Sequence, residues 1–378
     1  MENFVVSARK YRPNTFQSVV GQEHITNTLK NAVMSNHLAQ AFLFCGPRGV
    51  GKTTNARILA KTINCDTPTE DGNPCNTCNS CTSFNNNASL NIVELDAASN
   101  NSVEDIRNLI EQVRYAPQPG KKKVYIIDEV HMLSTAAFNA FLKTLEEPPA
   151  YAIFILATTE KHKILPTILS RCQIFDFNRI TVKDIVKQLK DIADQEGIQT
   201  DDDALHLIAQ KADGGMRDAL SMFDMIGTFS NNKSIDYQTT VDNLHILDYD
   251  YYFKLTDFIN KGNASQALLL FDEILRKGFD GHNFIIGLSE HFRNILVCKD
   301  AVTLDLLDVS ETVKQRYNQQ AKEVPQSFIM TALNLGSECD LRFKESKNQR
   351  LHVELTLMKM SHINKAIRLA QIEIKKKD

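Results

Sequence analysis

The stretch AFLFCGPRGVGKT, residues 41–53, constrains the fold of this chain more than any other. A continuous apolar run leads directly into the pattern G-x-x-x-x-G-K-[ST], which Gly46–Thr53 matches without exception. A strand before such a pattern and a helix after it make a loop whose backbone N–H groups face outward. The helix N-terminus then adds a dipole favourable to anions. Ala56, Leu59, Ala60 and Ile63 recur at helical spacing behind the loop, so the required helix is present in the pattern. The chemistry implied is triphosphate binding, with Lys52 neutralising the β and γ phosphates and Thr53 ligating Mg²⁺. The plainer alternative is a glycine-rich strand-to-helix turn with an incidental lysine.

Further apolar runs follow at NIVELD (91–96), KVYIID (123–128) and AIFILATT (152–159), with QIFDF (173–177) as a shorter fifth. Phe138, Phe141, Leu142 and Leu145 mark a helix between two of them, and EEPP at 146–149 stops it. Alternation of this kind predicts an α/β domain with a parallel sheet between helices. From Thr181 the strand signals fade. Residues 181–229 read as short helices broken at DGG (213–215), SNNKSIDYQTT (230–240) as a linker, and the remainder as helices. The expected domains are 1–180, a nucleotide-binding domain carrying an insertion at 65–81, 181–242, a small helical lid, and 243–378, an all-helical domain.

VYIIDEVH supplies the second half of a nucleotide site. Asp128, at the end of a buried strand, is placed to hold Mg²⁺ through water, and Glu129 to orient an attacking water. Thr158 ends AIFILAT beside the expected site and is a candidate reporter of the γ-phosphate, although a threonine there is otherwise an ordinary β-former. Arg171 in LSRCQ is a candidate to cap developing phosphate charge, most usefully in a neighbouring subunit. Arg217 in GGMRDAL starts a helix and is a candidate to reach back to the nucleotide.

NPCNTCNSC (73–81), together with Cys65, gives the spacing C-x9-C-x2-C-x2-C. Two C-x-x-C steps sharing a cysteine, with a fourth thiolate in reach, suit tetrahedral zinc. A closed set of four thiolates leaves no open position, so such a zinc is structural. Buried thiols and a disulfide are the alternatives, and a thioredoxin-like redox context is absent. Cys45, Cys172, Cys298 and Cys339 stand singly and read as small buried hydrophobes.

The formal net charge of −3 provides no global drive toward nucleic acid. Lysine runs at 121–123, 161 and 163, and 375–377 read as solvated faces. No apolar run approaches a membrane span, and MENFVVSARKYRPNTF shows no secretory pattern, so a cytoplasmic location is expected.

Taken together, ARKYRPNTFQSVVGQEHI, LFCGPRGVGKTT, ELDAAS, YIIDEVHML, FNAFLKTLEEPP, FILATTE, ILSRCQIFDF and GGMRDALS resemble the gamma/tau subunits of bacterial DNA polymerase III clamp loaders. The resemblance is continuous over residues 6–230 and looser beyond. It implies an AAA+ ATPase that uses ATP to load a sliding clamp onto primed DNA. Gly46, Pro47, Arg48, Gly49, Val50, Gly51, Lys52, Thr53 and Thr54 would form the phosphate loop, and Arg12, Pro13 and Val20 would line adenine and ribose. Asp128 and Glu129 would be the acidic pair, Thr158 the first sensor and Met216 with Arg217 the second. Arg171 would be the arginine finger acting on the adjacent subunit's ATP.

The family carries a zinc module at the four cysteines, and its third domain forms a collar in a five-subunit ring with delta and delta-prime. DNA would meet the helix that begins after AASNNS, through Asn100, Ser102 and Arg107. Ser102 and Asp105 have capping-box spacing there, and basic residues common in relatives are replaced by Asn100, Asn101 and Ser102. No polymerase active site is visible, so polymerase membership would be by association. The family's helicase- and polymerase-contacting segments would lie beyond Asp378. Two rival readings are a helicase or branch-migration motor, prompted by DEVH at 128–131, and a zinc-bearing scaffold that binds nucleotide without turnover.

Overall fold

The computed structural model describes residues 5–117, 121–230 and 234–375. They divide into two compact units, one built from the described residues up to Gln199 with Ile208–Ser234, the other from Thr200–Leu207 with those from Ile235 onward.

The first unit is organised by five parallel strands: β1 (Ala41–Cys45), β2 (Ile92–Asp96), β3 (Lys123–Asp128), β4 (Ala152–Thr158) and β5 (Gln173–Asp176). Their order across the sheet is β2-β3-β4-β1-β5. Alternation along β1 feeds two cores. Phe42 and Phe44 join Ile126 and Ile155 on one face, while Leu43 and Cys45 join Tyr125, Phe154 and Leu156 on the other. Burial on both faces is why β1, β3 and β4 read as unbroken apolar runs. The edge strand β2 departs from that rule, and Glu94 on it pairs with Arg57 at 2.5 Å.

Helices of this unit are α1 (Ser7–Lys10), α2 (Glu23–Met34), α3 (Lys52–Ile63), α4 (Asn79–Asn85), α5 (Val103–Val113), α6 (Thr135–Glu146), α7 (Pro166–Leu169) and α8 (Val182–Glu196). α9 (Asp202–Lys211) carries the chain across the unit boundary, and α10 (Met216–Phe229) completes the first unit. The Ser7 amide donates to Asp224 Oδ2 at 2.6 Å, tying the N-terminal segment to α10 across 217 residues.

The polar stretch at 230–240, expected as a linker, is helical from Tyr237 onward. α11 (Tyr237–Leu244) is capped by Asp236, whose Oδ1 accepts the Thr239 amide at 2.8 Å. Asn231–Lys233 of that stretch, and Lys376 and Lys377 of the terminal basic run, lie outside the described residues. The other lysine runs are engaged locally. Lys121 pairs with Asp66, Lys122 donates to the Ala150 carbonyl, Lys123 to that of Gln112, and Lys161 and Lys163 meet Asp176 and Glu160. Among the described residues, no helix is long and apolar enough to cross a membrane.

The second unit is helical, continuing with α12 (Tyr249–Asn260), α13 (Ala264–Arg276), α14 (Gly281–Val297), α15 (Glu311–Glu323), α16 (Gln326–Phe343), α17 (Gln349–Ser361) and α18 (Ile363–Lys375). Phe271, Phe284, Phe292 and Phe328 fill its core. His291 lies within it, 1% exposed. Gln320 Nε2 donates to the Phe253 carbonyl and to Asp257, so its Oε1 accepts from His291 Nε2–H at 2.9 Å. His291 Nδ1 then accepts the Tyr317 hydroxyl proton at 3.0 Å. The ring is therefore neutral, and burial pushes its pKa down to about 3.

An unfolded chain protonates this histidine near pH ~6.5, whereas the folded one resists until much lower pH. The stabilisation is full above that value and is lost as pH falls toward 3. Urea denaturation of the chain should lose up to about 1.4 kcal/mol per pH unit below pH ~6.5 from this group. His291→Gln should flatten that part of the dependence.

Candidate functional site

Parallel pairing places the C-terminal ends of all five strands along one edge, where open α/β sheets bind ligands. Cys45 stands opposite Thr158 in the β1–β4 register, so the loop leaving β1 starts beside the end of β4. Three glycines with positive φ, Gly46, Gly49 and Gly51, let that loop turn. Gly46 has φ 148°, and a Cβ there would lie 2.5 Å from the Phe177 carbonyl oxygen. Gly51, at φ 100°, caps α3.

Lys52 opens α3 and is only 5% exposed; its ammonium donates to the carbonyls of Gly46 at 2.8 Å and Pro47 at 2.7 Å. Burial pulls its pKa below the usual lysine range, while Glu129 and Asp128 oppose the shift. Thr53 Oγ1 donates to Asp128 Oδ2 at 2.6 Å, so a hydroxyl from the phosphate loop and a carboxylate from β3 converge on one point.

A cavity of about 490 Å³ opens over this edge. Arg48, Gly49, Val50, Gly51, Lys52, Thr53 and Thr54 line it, together with Arg12, Pro13 and Val20 and with Met216 and Arg217 of α10. Asp128 and Glu129 complete it. The start of α10 is held against the loop, with the Arg217 amide donating to the Gly49 carbonyl at 3.4 Å. Arg9, Arg12, Arg48, Lys52 and Arg217 face this space against two carboxylates, an excess of positive charge suited to a polyanion.

Four expected site residues do not line the cavity. Gly46 and Pro47 contribute through the carbonyls that hold Lys52. Thr158 is fully buried, accepting the Glu160 amide at 3.0 Å and lying 3.1 Å from His131 Nδ1. Arg171, just past α7, donates to Glu146 at 2.7 Å and to the Thr167 carbonyl at 2.6 Å. Elsewhere in the unit, Asn100 donates to the Asp96 carbonyl at 3.0 Å. Ser102 and Asp105 form a reciprocal capping box, and Arg107 lies on α5.

Sequence reasoning passed over Arg9 and Tyr11, which also line the cavity. The Tyr11 hydroxyl donates to Glu196 at 2.5 Å, a contact between distant segments that leaves no local pattern. It also passed over Thr159, whose amide and hydroxyl donate to Glu129 Oε2 at 3.2 and 3.0 Å.

The sulfur atoms of Cys65, Cys75, Cys78 and Cys81 all lie within 4.8 Å of one another. Cys65 and Cys78 are 4.0 Å apart, as are Cys75 and Cys81. A zinc tetrahedron with Zn–S bonds of about 2.3 Å has edges of about 3.8 Å, so the set fits a metal ion. Amides already point at the sulfurs: Cys75 N–H donates to Cys65, and Cys78 N–H to Cys75, each at 3.3 Å. Hydrogen bonds from the Thr67 side chain and the Thr77 and Cys78 amides hold the Cys75 thiol down to about 5, while burial pushes Cys81 up. Cys45 and Cys339 are buried, and Cys172 and Cys298 half-buried, without disulfides.

Sheet order, phosphate loop, acidic strand end and helical second unit define a P-loop protein of the AAA+ class followed by helical domains. The sequence matches family models described as DNA polymerase III, delta subunit (residues 21–181), DNA polymerase III clamp loader subunit, ATPase lid domain (184–226), and DNA polymerase III subunits gamma and tau domain III (237–372). It is 34% identical to the DNA polymerase III subunit gamma of Buchnera aphidicola, covering 95% of this chain and 99% of that protein. It is 42% identical to the DNA polymerase III subunit tau of Bacillus subtilis, covering 93% of this chain and 62% of the relative's length. Among solved structures, the RuvB Holliday junction branch migration motor of Thermotoga maritima aligns at 20% identity and TM-score 0.46, covering 66% of this chain and 79% of that one. The chain belongs to the family of DNA polymerase III gamma and tau subunits.

The Gly46 contact gives a direct test of how tightly the loop is built. Gly46→Ala should lower stability by about 1–3 kcal/mol, because the added methyl meets backbone rather than a flexible side chain. Thermal denaturation of the variant beside the wild type measures the loss.

Proposed function

We propose that this chain is the ATP-hydrolysing motor subunit of a DNA polymerase III clamp loader, which loads a sliding clamp onto primed-template DNA. The observation that carries the proposal is the convergence of Lys52, the Thr53–Asp128 pair, Glu129 and Arg217 on one cation-rich cavity, in a member of this family. Backbone amides of the phosphate loop and the Lys52 ammonium take the triphosphate, Lys52 exchanging the Gly46 and Pro47 carbonyls for phosphate oxygens. Thr53 and Asp128 would hold Mg²⁺, which when bound neutralises charge on the β- and γ-oxygens. Glu129 orients the attacking water, and Arg12, Pro13 and Val20 receive adenine and ribose. Thr158 acts as the first sensor and Met216 with Arg217 as the second. Arg171, which is outside its own cavity, serves the ATP of an adjacent subunit as an arginine finger.

The partners proposed are the delta and delta-prime subunits in a five-membered ring, the clamp and DNA, in the cytoplasm, with no membrane contact. Polymerase membership is by association. The division of labour runs through a nucleotide domain at 1–180, a lid at 181–242 and a collar at 243–378. DNA meets the start of α5 through Asn100, Ser102 and Arg107, where backbone amides and a single arginine provide the attraction. Cys65, Cys75, Cys78 and Cys81 hold a structural zinc.

The decisive experiment is reconstitution with candidate loader subunits, a clamp and primed DNA. Lys52→Ala should reduce DNA-stimulated hydrolysis by at least about a hundredfold and abolish loading. Intact loading by that variant would overturn the proposal. Metal analysis of the purified protein should give about one zinc per chain, and chelation should lower its unfolding temperature. A metal-free, correctly folded sample would contradict the zinc assignment.

A further inference from the structure

His131, in the short turn Val130–Met132 after β3, belongs to none of the roles above, yet it stands between three groups that matter to them. Its side chain is 7% exposed. Nδ1 lies 3.1 Å from the Thr158 hydroxyl and 3.4 Å from Glu129 Oε2, and Nε2 lies 3.1 Å from Glu160 Oε2. The ring does not line the cavity; Glu129 does. It therefore touches the acid that faces the nucleotide space from behind, and the buried threonine beside it.

The hydrogen-bond roles are ordered. Thr158 Oγ1 accepts the Glu160 amide at 3.0 Å, which leaves its own proton to give to His131 Nδ1. Nε2–H donates to Glu160, itself held by Lys163 at 2.6 Å. The imidazole is thus clamped at both nitrogens, with its Nδ1 edge against Glu129. On the other side, Glu129 receives the Thr159 amide and hydroxyl. The ring thus adds a second link between the ends of β3 and β4, beside the direct Glu129–Thr159 hydrogen bonds.

The geometry points to His131 as a positioning residue for ATP hydrolysis: its ring holds the Thr158 hydroxyl through Nδ1 and packs against the Glu129 carboxylate, limiting how far that acid can turn, so that water orientation and γ-phosphate sensing share one frame. The inference rests on the ATPase reading of the same site. A residue that acts on Glu129 and Thr158 from outside the cavity should affect turnover and leave nucleotide binding alone. A residue that only fills space should affect neither, or both through misfolding.

The test compares His131→Ala, His131→Asn and His131→Gln in the full chain within the reconstituted assembly, with Lys52→Ala as the reference for loss of the site itself. Asparagine keeps a polar atom near the position of Nδ1, and glutamine near that of Nε2. The expected result is a fall in kcat of at least about tenfold for alanine and glutamine, with substantial recovery for asparagine. The dissociation constant for a fluorescent ATP analogue should change less than about twofold in all three. Wild-type turnover in His131→Ala, or a loss of nucleotide affinity matching the loss of kcat, would overturn the assignment. If His131→Ala fails to fold, the asparagine–glutamine comparison carries the test, and equal turnover in those two would sink it. Absence of Lys52-dependent hydrolysis in the wild type would instead count against the ATPase reading.

Discussion

The pairing of β1 with β4 is the constraint from which the site follows. Because Cys45 is held opposite Thr158, the phosphate loop must begin within reach of the β4 end, and its first amide, Gly46 N–H, donates to the Thr158 carbonyl at 3.2 Å. The β3–β4 pairing then sets Asp128 and Glu129 close to the same point, and the Thr53–Asp128 hydrogen bond closes the arrangement. An antiparallel partner would have placed one of these ends at the opposite edge. Lys52, Asp128 and Glu129 are thus delivered by backbone register, and side-chain rotamers make only the final adjustment.

The cysteine loop belongs to this scheme through the wall of the cavity. Asn73, only 3% exposed, accepts the buried Phe16 amide through Oδ1 at 2.9 Å. Phe16 lies two to four residues before Ser18, Val19 and Val20, which line the cavity. A Cβ on Gly72 would come within 3.1 Å of Met34 on α2, so the loop also presses on the helix that follows. At its other end, Asn64 accepts the Lys122 amide at 3.0 Å, just before β3. The loop therefore braces two segments that frame the nucleotide space. Four thiolates closed on one ion would stiffen a stretch that carries few apolar residues of its own.

What the sequence made legible was local. The five strands showed as apolar runs because burial on both faces leaves little else at β1, β3 and β4, and the phosphate loop and cysteine spacing are read from residues near one another in the chain. The helix at Tyr237–Leu244 was hidden because only Thr240, Val241 and Leu244 are buried, a stripe too thin to outweigh a polar composition. Its Asp236 cap was nonetheless present as a signal. Arg9 and Tyr11 could not be read, since their place depends on contacts with α8 and α10 about two hundred residues away. Thr158 was read correctly as a strand end, but its complete burial and its contact with the His131 ring depend on packing that no local pattern shows.

Glu129 shows how the frame is tuned at its most demanding point. Its backbone is left-handed, at φ 49° and ψ 44°, a conformation that costs a non-glycine residue roughly 1–2 kcal/mol. The turn is sustained because the Glu129 amide donates to Asp128 Oδ1 at 3.0 Å, and its carboxylate takes two hydrogen bonds from Thr159. An ordinary helical or extended conformer would swing the side chain away from the β4 end. The local strain and the hydrogen bonds are therefore one device: the backbone aims the acid, Thr159 holds it, and the His131 ring limits how far it can turn.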